Sequence, residues 1–514
     1  MMLNHNSRSQ HKFSLLPLIL AFALVATGAA FAQTTISTGS IVGTVTDATG
    51  AVLEGAKVTI TSLDTNQQIN LTSNASGAFN SGALSPGNYK VQAAAKGFST
   101  TSQTVAVRVG NTATVNPKLA VGQESTVVEV QGSALAVNTE QAEVQGVLTS
   151  SQIENLPVNG RNFLDLAQLE PGVQIQDGQN FDPTKAGYSS ISFGGRFGRT
   201  ARINVDGVDI SDETVGTTTM DIPASGIDQF QLAQSSLDLS NDLTSSGAVN
   251  VTTKSGSNQF HGQAFGLFRD RTVGGVATPG GGSLPFQRSQ YGANLGGPII
   301  KDKLFFFGDG ERIKQDSRAP VLFAPPFQSL NGGFGVPFRD NQLMGRVDYT
   351  LPRNARLFYR FNYFSNSLPS DFGLGYSVYS NKDITRSHLV GLDFSSGTFT
   401  HAIRFSFLKF QNQIVDTTVG SSLPFANTGV TLDALGNGLY TGPSPLAPQS
   451  TPQRNLQIKF DGSKAIRSHI LRYGVSSTTF RAAASPVSMA RRLEFRGTRP
   501  MRMQLSRRLD LIPA

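Results

Sequence analysis

Three arginines at intervals of three residues could hold an anionic ligand. Arg196, Arg199 and Arg202 lie in "GGRFGRTARINVDGVDI", just before the dipeptide Asp206-Gly207. Guanidinium groups bind carboxylates and phosphates through paired hydrogen bonds, so the spacing predicts an anion-binding surface. The alternative, which we favour, is that these arginines form ion pairs with carboxylates on the strands predicted in the second half of the chain.

The sequence lacks the motifs that commonly carry covalent chemistry. The six histidines form no H-x-x-x-H or H-x-H pair, and the chain has no cysteine, which leaves no zinc ligand set and no thiolate nucleophile. Neither a G-x-S-x-G nor a G-K-[ST] motif occurs. The aspartates of "DLSNDLTSSG" lack the glycine and glutamate of a calcium loop, so we interpret this stretch as a solvated turn. We expect no catalytic residue, no metal and no cofactor.

The first 32 residues have the pattern of a secretory signal. Arg8 and Lys12 precede the apolar run "FSLLPLILAFALVA", and small residues follow in "AFAQ". We expect cleavage after Ala32 and export of the chain. A membrane anchor is the alternative, but the apolar run is short for a spanning helix.

The net charge of +8 lies at the two ends of the chain. The segment from Ser477 onward has eight arginines against two carboxylates, whereas residues 33–476 sum to zero. A neutral body gives no reason to expect nucleic acid as a partner.

Residues 38–121 read as short strands separated by turns. β-Branched residues fill "GAKVTITS" and "QTVAVRVG", and turn residues such as Ser85-Pro86-Gly87 separate the strands. This pattern predicts a small β-sandwich. The segments "GTVTDATGAVLEGAKVTITS" and "LSPGNYKVQAAAKGF" resemble the carboxypeptidase-regulatory-like domain, and this resemblance implies a module without catalytic residues.

A linker at residues 122–136 follows the predicted sandwich. Within it, "STVVEVQ" resembles the box by which outer-membrane receptors hand a strand to the energy-coupling protein TonB. The coupling candidates are Thr126, Val127, Val128, Glu129 and Val130. A plain interdomain strand remains the alternative, because any exposed β-prone segment can pair at a sheet edge.

Residues 137–256 mix helix and strand signals. A helix start at Thr149 or Ser150 is followed by a break at Pro157, and Asp206-Gly207 predicts a tight hairpin. "IENLPVNGRNFLDLAQLEPGV", the arginine-rich turn and "SSGAVNVTTKSGSNQFHG" occur in the order found in the plug domain of TonB-dependent receptors. This resemblance makes Arg161, Arg196, Arg199, Arg202, Asp206 and Gly207 the candidate plug residues.

From residue 257 to residue 475, apolar and polar residues alternate with a period of two. In "RLFYRFNYF", Leu357, Tyr359 and Phe361 share one face, opposite Arg356 and Arg360. About nine such strands are joined alternately by tight turns and long polar loops, which is typical of an outer-membrane barrel. A soluble sandwich also alternates, but its loops need not sort in this way.

"GANLGGPIIKDKLFFFGDGE" resembles the Oar-like subgroup of TonB-dependent receptors, which join a regulatory-like domain to this signature. Such transporters close with about 22 strands, so we expect nine strands to form an incomplete barrel. After Val475 the alternation of polar and apolar residues ends. Residues 477–488 match the translation that results when codons for a typical family sequence are read with a shift of one base. We therefore predict that residues 476–514 follow a shift of the reading frame, which resequencing the gene would test.

These observations predict a mainly β protein with an N-terminal β-sandwich, an α+β plug domain and an incomplete antiparallel membrane β-barrel. The resemblance implies an outer-membrane receptor, not an enzyme, that imports an extracellular solute such as an oligosaccharide or a peptide. Its partners would be the TonB complex, outer-membrane lipid and the solute. Two alternatives are a surface adhesion protein that binds carbohydrate or peptide, and a soluble periplasmic binding protein.

Overall fold

The computed structural model describes residues 38–498 with internal gaps. The ranges left out are 123–126, 131–144, 157–160, 179–180, 182–184, 186, 235–243, 275–282, 322–326, 331, 353–354, 372–376, 397–398, 423–431, 435–438, 442, 445–446, 467–468, 483–484 and 487–494. The predicted signal peptide, residues 1–32, lies outside the described residues. No helix within the described ranges is long and apolar enough to cross a membrane.

The first domain, called here the N-terminal sandwich, is built from nine short strands. They are β1 (Ser40–Thr44), β2 (Thr46–Asp47), β3 (Lys57–Ser62), β4 (Gln68–Thr72), β5 (Ala78–Asn80), β6 (Gly87–Ala94), β7 (Thr100–Val107), β8 (Thr112–Thr114) and β9 (Lys118–Leu119). Val58, Ile60 and Val91 are buried in its core, because alternate residues of a strand point to the same face. The β structure expected for this domain is confirmed.

One more strand extends a sheet of the sandwich. β10 (Val127–Val130) runs parallel to β7 and gives the order β10-β7-β6-β3-β4. It contains four of the five coupling candidates, while Thr126 lies outside the described residues.

The second domain, called here the middle domain, covers the described residues from 145 to 253. Its elements are β11 (Gln145–Thr149), α1 (Ser150–Asn155), a 3-10 helix (Phe163–Leu169), β12 (Val173–Asp177), β13 (Ser189–Phe193), a 3-10 helix (Gly198–Thr200), β14 (Arg202–Val205), β15 (Val208–Asp209), a 3-10 helix (Ala224–Gly226), β16 (Ile227–Ala233) and β17 (Ala248–Thr253). The central sheet has the order β11-β16-β17-β14-β15. Helix α1 begins where the sequence predicts, and the Gln152 side chain accepts a hydrogen bond from Thr149 N at 3.0 Å.

Most of the remaining strands form one antiparallel sheet, called here the large sheet, and two short strands, Leu432–Ala434 and Leu439–Thr441, pair only with each other. Its elements and their neighbours are β18 (His261–Asp270), α2 (Arg271–Gly274), β19 (Phe286–Ile300), β20 (Leu304–Val321), a 3-10 helix (Phe327–Leu330), β21 (Gly332–Gly335), β22 (Phe338–Leu351), β23 (Ala355–Asp371), β24 (Val378–Ser396), β25 (Phe399–Asp416), β26 (Leu432–Ala434), β27 (Leu439–Thr441), β28 (Gln449–Ile466), β29 (His469–Ala482), β30 (Ser485–Pro486) and β31 (Phe495–Thr498). The long strands follow the order β18-β19-β20-β22-β23-β24-β25-β28-β29. The expected barrel-like sheet of nine antiparallel strands is confirmed.

The two faces of the large sheet differ as the alternation predicts. On β22, Leu343 is 51% exposed and Val347 38%, whereas the intervening Arg346 is 3% exposed. On β25, Phe405 is 47% exposed and Arg404 only 2%. The apolar side chains thus cover the outer face, and the polar ones point to the inner face, against which the middle domain packs.

The last long strand continues beyond the predicted frame shift. β29 pairs with β28 from Ile466↔His469 to Gln453↔Ala482, so the ladder passes Ser476 without a break in register. The reading frame is a property of the gene, and its shift near Ser476 stays a prediction.

A charge on the outer face provides a test of the sheet's environment. In a lipid bilayer we expect Phe405→Arg to destabilise the folded sheet by about 2–4 kcal/mol, because the guanidinium would lie in hydrocarbon. Val419→Arg, in the segment after β25 where Val419 is 58% exposed, is the control and should change stability little. Urea unfolding in lipid vesicles measures both variants, and equal losses would contradict a lipid-facing position for Phe405.

Candidate functional site

The turn between β14 and β15 carries a buried carboxylate. Val205 pairs with Val208, so Asp206 and Gly207 alone connect the two strands. Their φ angles are 49° and 89°. Positive φ at both central residues is the geometry of a two-residue hairpin turn, which favours Asp-Gly. The turn points Asp206 from the middle domain towards the inner face of the large sheet.

Three arginines of the large sheet bind this turn. The guanidinium of Arg360 on β23 lies 2.5 Å from Asp206 Oδ2, and that of Arg346 on β22 lies 3.3 Å from Oδ1. Arg404 on β25 donates from Nε to the carbonyl oxygen of Asp206 at 3.1 Å. None of these four residues is more than 3% exposed. Three separate strands are thereby connected to one residue of the middle domain.

Thr253, the last residue of β17, completes the environment of the carboxylate. Its backbone N donates to Asp206 Oδ1 at 2.9 Å, and its hydroxyl donates to Oδ2 at 2.8 Å. Burial by itself would raise the pKa of Asp206, but Arg360, Arg346 and the hydrogen bonds from Thr253 outweigh it and hold the pKa below its ordinary value. The carboxylate is therefore negatively charged at neutral pH.

Further carboxylates neutralise the arginines around Asp206. Asp348 lies 2.9 Å from Arg346, and Asp393 lies 2.7 Å from Arg404. The ring of Phe358 is 4.4 Å from the Arg346 guanidinium carbon and 5.0 Å from that of Arg404. Arg346 and Arg404 therefore each have an anion and an aromatic face beside them, which offsets part of the cost of removing them from water.

The opposite end of the interface is acidic. Asp221 of the middle domain is 8% exposed. The pKa of Asp221 lies well above its ordinary value, chiefly because the carboxyl group is buried. The nearby negative charges of Asp340, Asp165 and Glu311 raise it further. Asp340 lies near the start of β22, at the end where long loops join the strands. The contact surface is thus rich in arginine near the short turns and rich in carboxylate near the long loops.

The arginines predicted from the sequence do not converge on one point. Arg196 and Arg199 are exposed, and Arg196 donates to the carbonyl oxygen of Ser245 within the middle domain. Arg202 lies 3.1 Å from both Asp209 and Glu213, also within that domain. The structure does not place these three side chains in a shared anion pocket.

Within the part of the chain that the structure describes, Arg161 is the predicted arginine that contacts the large sheet. Its Nε lies 3.6 Å from Glu311 Oε2 on β20, and its guanidinium carbon is 4.2 Å from the centre of the Phe265 ring on β18. Arg161 therefore forms an ion pair between the middle domain and a carboxylate of the sheet.

The candidate coupling strand lies on the far side of the middle domain from the long loops. β10 pairs with β7 from Val127↔Thr100 to Val130↔Gln103. The sandwich that carries β7 contacts the short turn between β19 and β20, where Asn66 Nδ2 donates to Asp302 Oδ1 at 3.1 Å. The coupling strand and the short turns therefore occupy the same end of the molecule.

Comparison with known protein families gives matches in two parts of the chain. Residues 40–120 match the carboxypeptidase regulatory-like domain, and residues 252–336 match the outer membrane beta barrel domain. The chain is also 26% identical over 371 residues to the TonB-dependent transporter Oar of Myxococcus xanthus. The chain is a homologue of TonB-dependent transporters. The Oar match covers 66% of this transporter homologue and 32% of Oar, so the homologue spans about a third of the relative's length.

A solved structure supports the fold of the transporter homologue. The outer membrane transporter YddB from Escherichia coli superimposes with a TM-score of 0.51 at 12% identity, over 66% of this chain and 48% of that one. The family matches place the homologue in the outer membrane, as the sequence predicts.

Arg346, Arg360 and Arg404 are the residues that the sequence interpretation missed as site residues. Their signal was present, because each stands on the inward face of a strand whose other face is apolar, where a charge needs a partner. The partner is the aspartate of the predicted hairpin, which lies 140 residues before Arg346 and 198 before Arg404. No local pattern connects positions so far apart.

Removing the charge of Asp206 should loosen the middle domain. We expect Asp206→Asn to lower the free energy of unfolding by about 3–5 kcal/mol, because buried arginines lose their counter-ion. Asp316→Asn is the matched control, since Asp316 is 46% exposed in its ion pairs with Arg339 and Lys314 and should cost at most about 1 kcal/mol. Urea titration of the chain in detergent micelles measures both, and equal effects would contradict the role of Asp206.

The same carboxylate sets a dependence on pH. The pKa of Asp206 lies below the ordinary value of 3.8, so its contribution is complete above that pH and disappears as the pH falls through the lowered pKa. We expect the stability difference between the unsubstituted chain and Asp206→Asn to be constant from pH 5 to 8 and to shrink in stronger acid. A difference that already shrinks near pH 6 would contradict this assignment.

Proposed function

We propose that the chain is part of a TonB-dependent outer-membrane receptor that binds an extracellular solute and imports it without covalent chemistry. In this proposal the large sheet is the wall of the pore and the middle domain is its plug. The observation that carries the proposal is the buried contact of Asp206 with Arg346, Arg360 and Arg404. It holds a separate domain against the inner face of an amphipathic membrane sheet.

The polar character of this contact suits a plug that has to move. Ser225 donates to Asp309 at 2.7 Å, and Thr385 donates to the carbonyl oxygen of Thr219 at 2.5 Å. Hydrogen bonds therefore join the middle domain to more than one strand of the large sheet. Water can replace such bonds when the surfaces separate, whereas separation of an apolar interface would expose hydrocarbon. Separation of the middle domain from the sheet at these bonds therefore costs less free energy than separation of an apolar contact.

The arrangement of the ends suits coupling to a periplasmic protein. Outer-membrane barrels place short turns in the periplasm and long loops outside. The coupling candidates Val127–Val130 lie at the end of the short turns, together with the N-terminal sandwich. A pull on this segment from the periplasm would reach the middle domain through its first strand, β11.

Energy-dependent movement of the plug is the direct test, and it requires no known solute. We expect a cysteine at Ala224, which is 8% exposed at the interface with the large sheet, to react slowly with a membrane-impermeant maleimide. In cells with the cognate TonB complex, its labelling should rise several-fold, because movement of the middle domain exposes the residue. The chain has no native cysteine, so labelling reports this position alone.

Two comparisons complete this test. A protonophore or deletion of TonB should return Ala224→Cys to slow labelling. Ala51→Cys, on an exposed turn of the sandwich, should label at the same rate under all conditions. If neither the protonophore nor the loss of TonB changes the labelling rate of Ala224→Cys, the proposed transport is contradicted.

A further inference from the structure

The coupling strand is already engaged in a sheet of its own chain. β10 aligns with β7 over four consecutive pairs, Val127↔Thr100, Val128↔Thr101, Glu129↔Ser102 and Val130↔Gln103. β7 pairs on its other side with β6, so β10 is the edge strand of the five-stranded sheet. This is strand addition, the same mode of binding by which a partner protein captures an extended segment.

The sandwich that holds β10 is itself attached to the large sheet. Asn258 N donates to the carbonyl oxygen of Asp64 at 2.9 Å, and Asn66 Nδ2 donates to Asp302 Oδ1 at 3.1 Å. Asp64 and Asn66 lie in the turn after β3, while Asp302 lies in the short turn between β19 and β20. The sandwich is thus bonded to the rim of the membrane sheet.

A second contact joins the sandwich to the middle domain. Val109 N, two residues beyond the end of β7, donates to Gln229 Oε1 on β16 at 2.6 Å. The segment that follows β7 is therefore held by the middle domain, and a shift of β16 acts on the end of the strand that pairs with β10.

These contacts determine where a force on β10 would go. While β10 is bonded to β7, a pull on it is shared with the sandwich, which passes part of the force through Asp64 and Asn66 to the rim of the sheet and part through Val109 to β16. The middle domain receives the full force only when β10 has left β7. A docked β10 therefore reduces the force that reaches the middle domain.

We propose that the N-terminal sandwich is an intramolecular competitor of the energy-coupling protein for the strand Val127–Val130. β10 is held by its pairing with the edge of β7, and β10 must separate from β7 before TonB can pull the middle domain. The inference rests on the proposed function, because it takes β10 as the segment that TonB binds. A ladder of four residues has few hydrogen bonds and opens reversibly, yet a tethered strand has a high effective concentration and returns readily.

Engineered disulfides in this cysteine-free chain can fix the strand in its stored position. Val130→Cys with Gln103→Cys joins register partners, whose Cα atoms in neighbouring strands lie roughly 4.8 Å apart, within disulfide range. Val130→Cys with Thr100→Cys is the matched control, because three residues along β7 add an offset of roughly 10 Å. Both pairs change the same two strands, and only the first pair should cross-link on oxidation.

Binding of the periplasmic domain of TonB to the full chain in detergent micelles is the functional measurement. We expect the oxidised Val130–Gln103 pair to lose binding and to regain it after reduction. The control pair should bind equally well before and after oxidation. Each variant is compared with itself in two redox states, so a general effect of the substitutions on folding cancels.

The outcomes separate the competition from the proposed function. Equal binding by the oxidised and reduced Val130–Gln103 pair would overturn the competition alone, because TonB would then accept β10 while it lies on β7. Cross-linking of the control pair to the same extent would also overturn it, because β10 would have no fixed register. Failure of TonB to bind the unsubstituted chain and every reduced variant would overturn the proposed coupling, and the competition with it.

Discussion

The burial of one carboxylate among arginines controls how the large sheet and the middle domain fit together. Asp206 could not leave water by itself, because the loss of hydration costs several kcal/mol for each ion. Arg346 and Arg360 recover part of that cost through its side chain, and Thr253 satisfies its remaining acceptor positions. The arginines in turn lie on strands whose opposite face is apolar. Each part therefore supplies the charges that allow the other to be buried.

The same constraint explains the polarity of the whole sheet. An apolar outer face in lipid forces polar residues to the inside, since strand residues alternate between the two faces. The inner face then needs a polar partner, and the middle domain provides one with Asp206, Ser225 and the carbonyl oxygen of Thr219. Aromatic rings add to this contact, because Tyr188 of the middle domain packs edge to face on Phe410 with 6.0 Å between ring centres.

The sequence predicted the fold more fully than it predicted the site. Alternation along β22 and β25, the turn at Asp206-Gly207 and the start of α1 at Ser150 are local features, and the structure contains each of them. The structure does not bring Arg196, Arg199 and Arg202 together, because Arg202 pairs with Asp209 and Glu213 within the middle domain and Arg196 donates to Ser245.

The missed part of the site depends on distant pairing. Arg360 meets Asp206 across 154 residues of chain, through strand order and register that the spacing of residue types does not encode. The pairing of β10 with β7 could not be predicted from the sequence either, since an exposed β-prone segment can join any free sheet edge. In both cases the residue type suggested a need for a partner, and only the folded chain identified that partner.

The turn that carries Asp206 has only two residues, and this shortness limits how the sequence can vary. The long loops of the large sheet can gain or lose residues without moving the strands, because their ends are fixed by the ladders. An insertion of one residue between Val205 and Val208 would displace the carboxylate by roughly 3 Å, about the length of the ion pairs that it makes. Homologous chains should therefore differ freely in loop length while retaining an unchanged number of residues in this one turn.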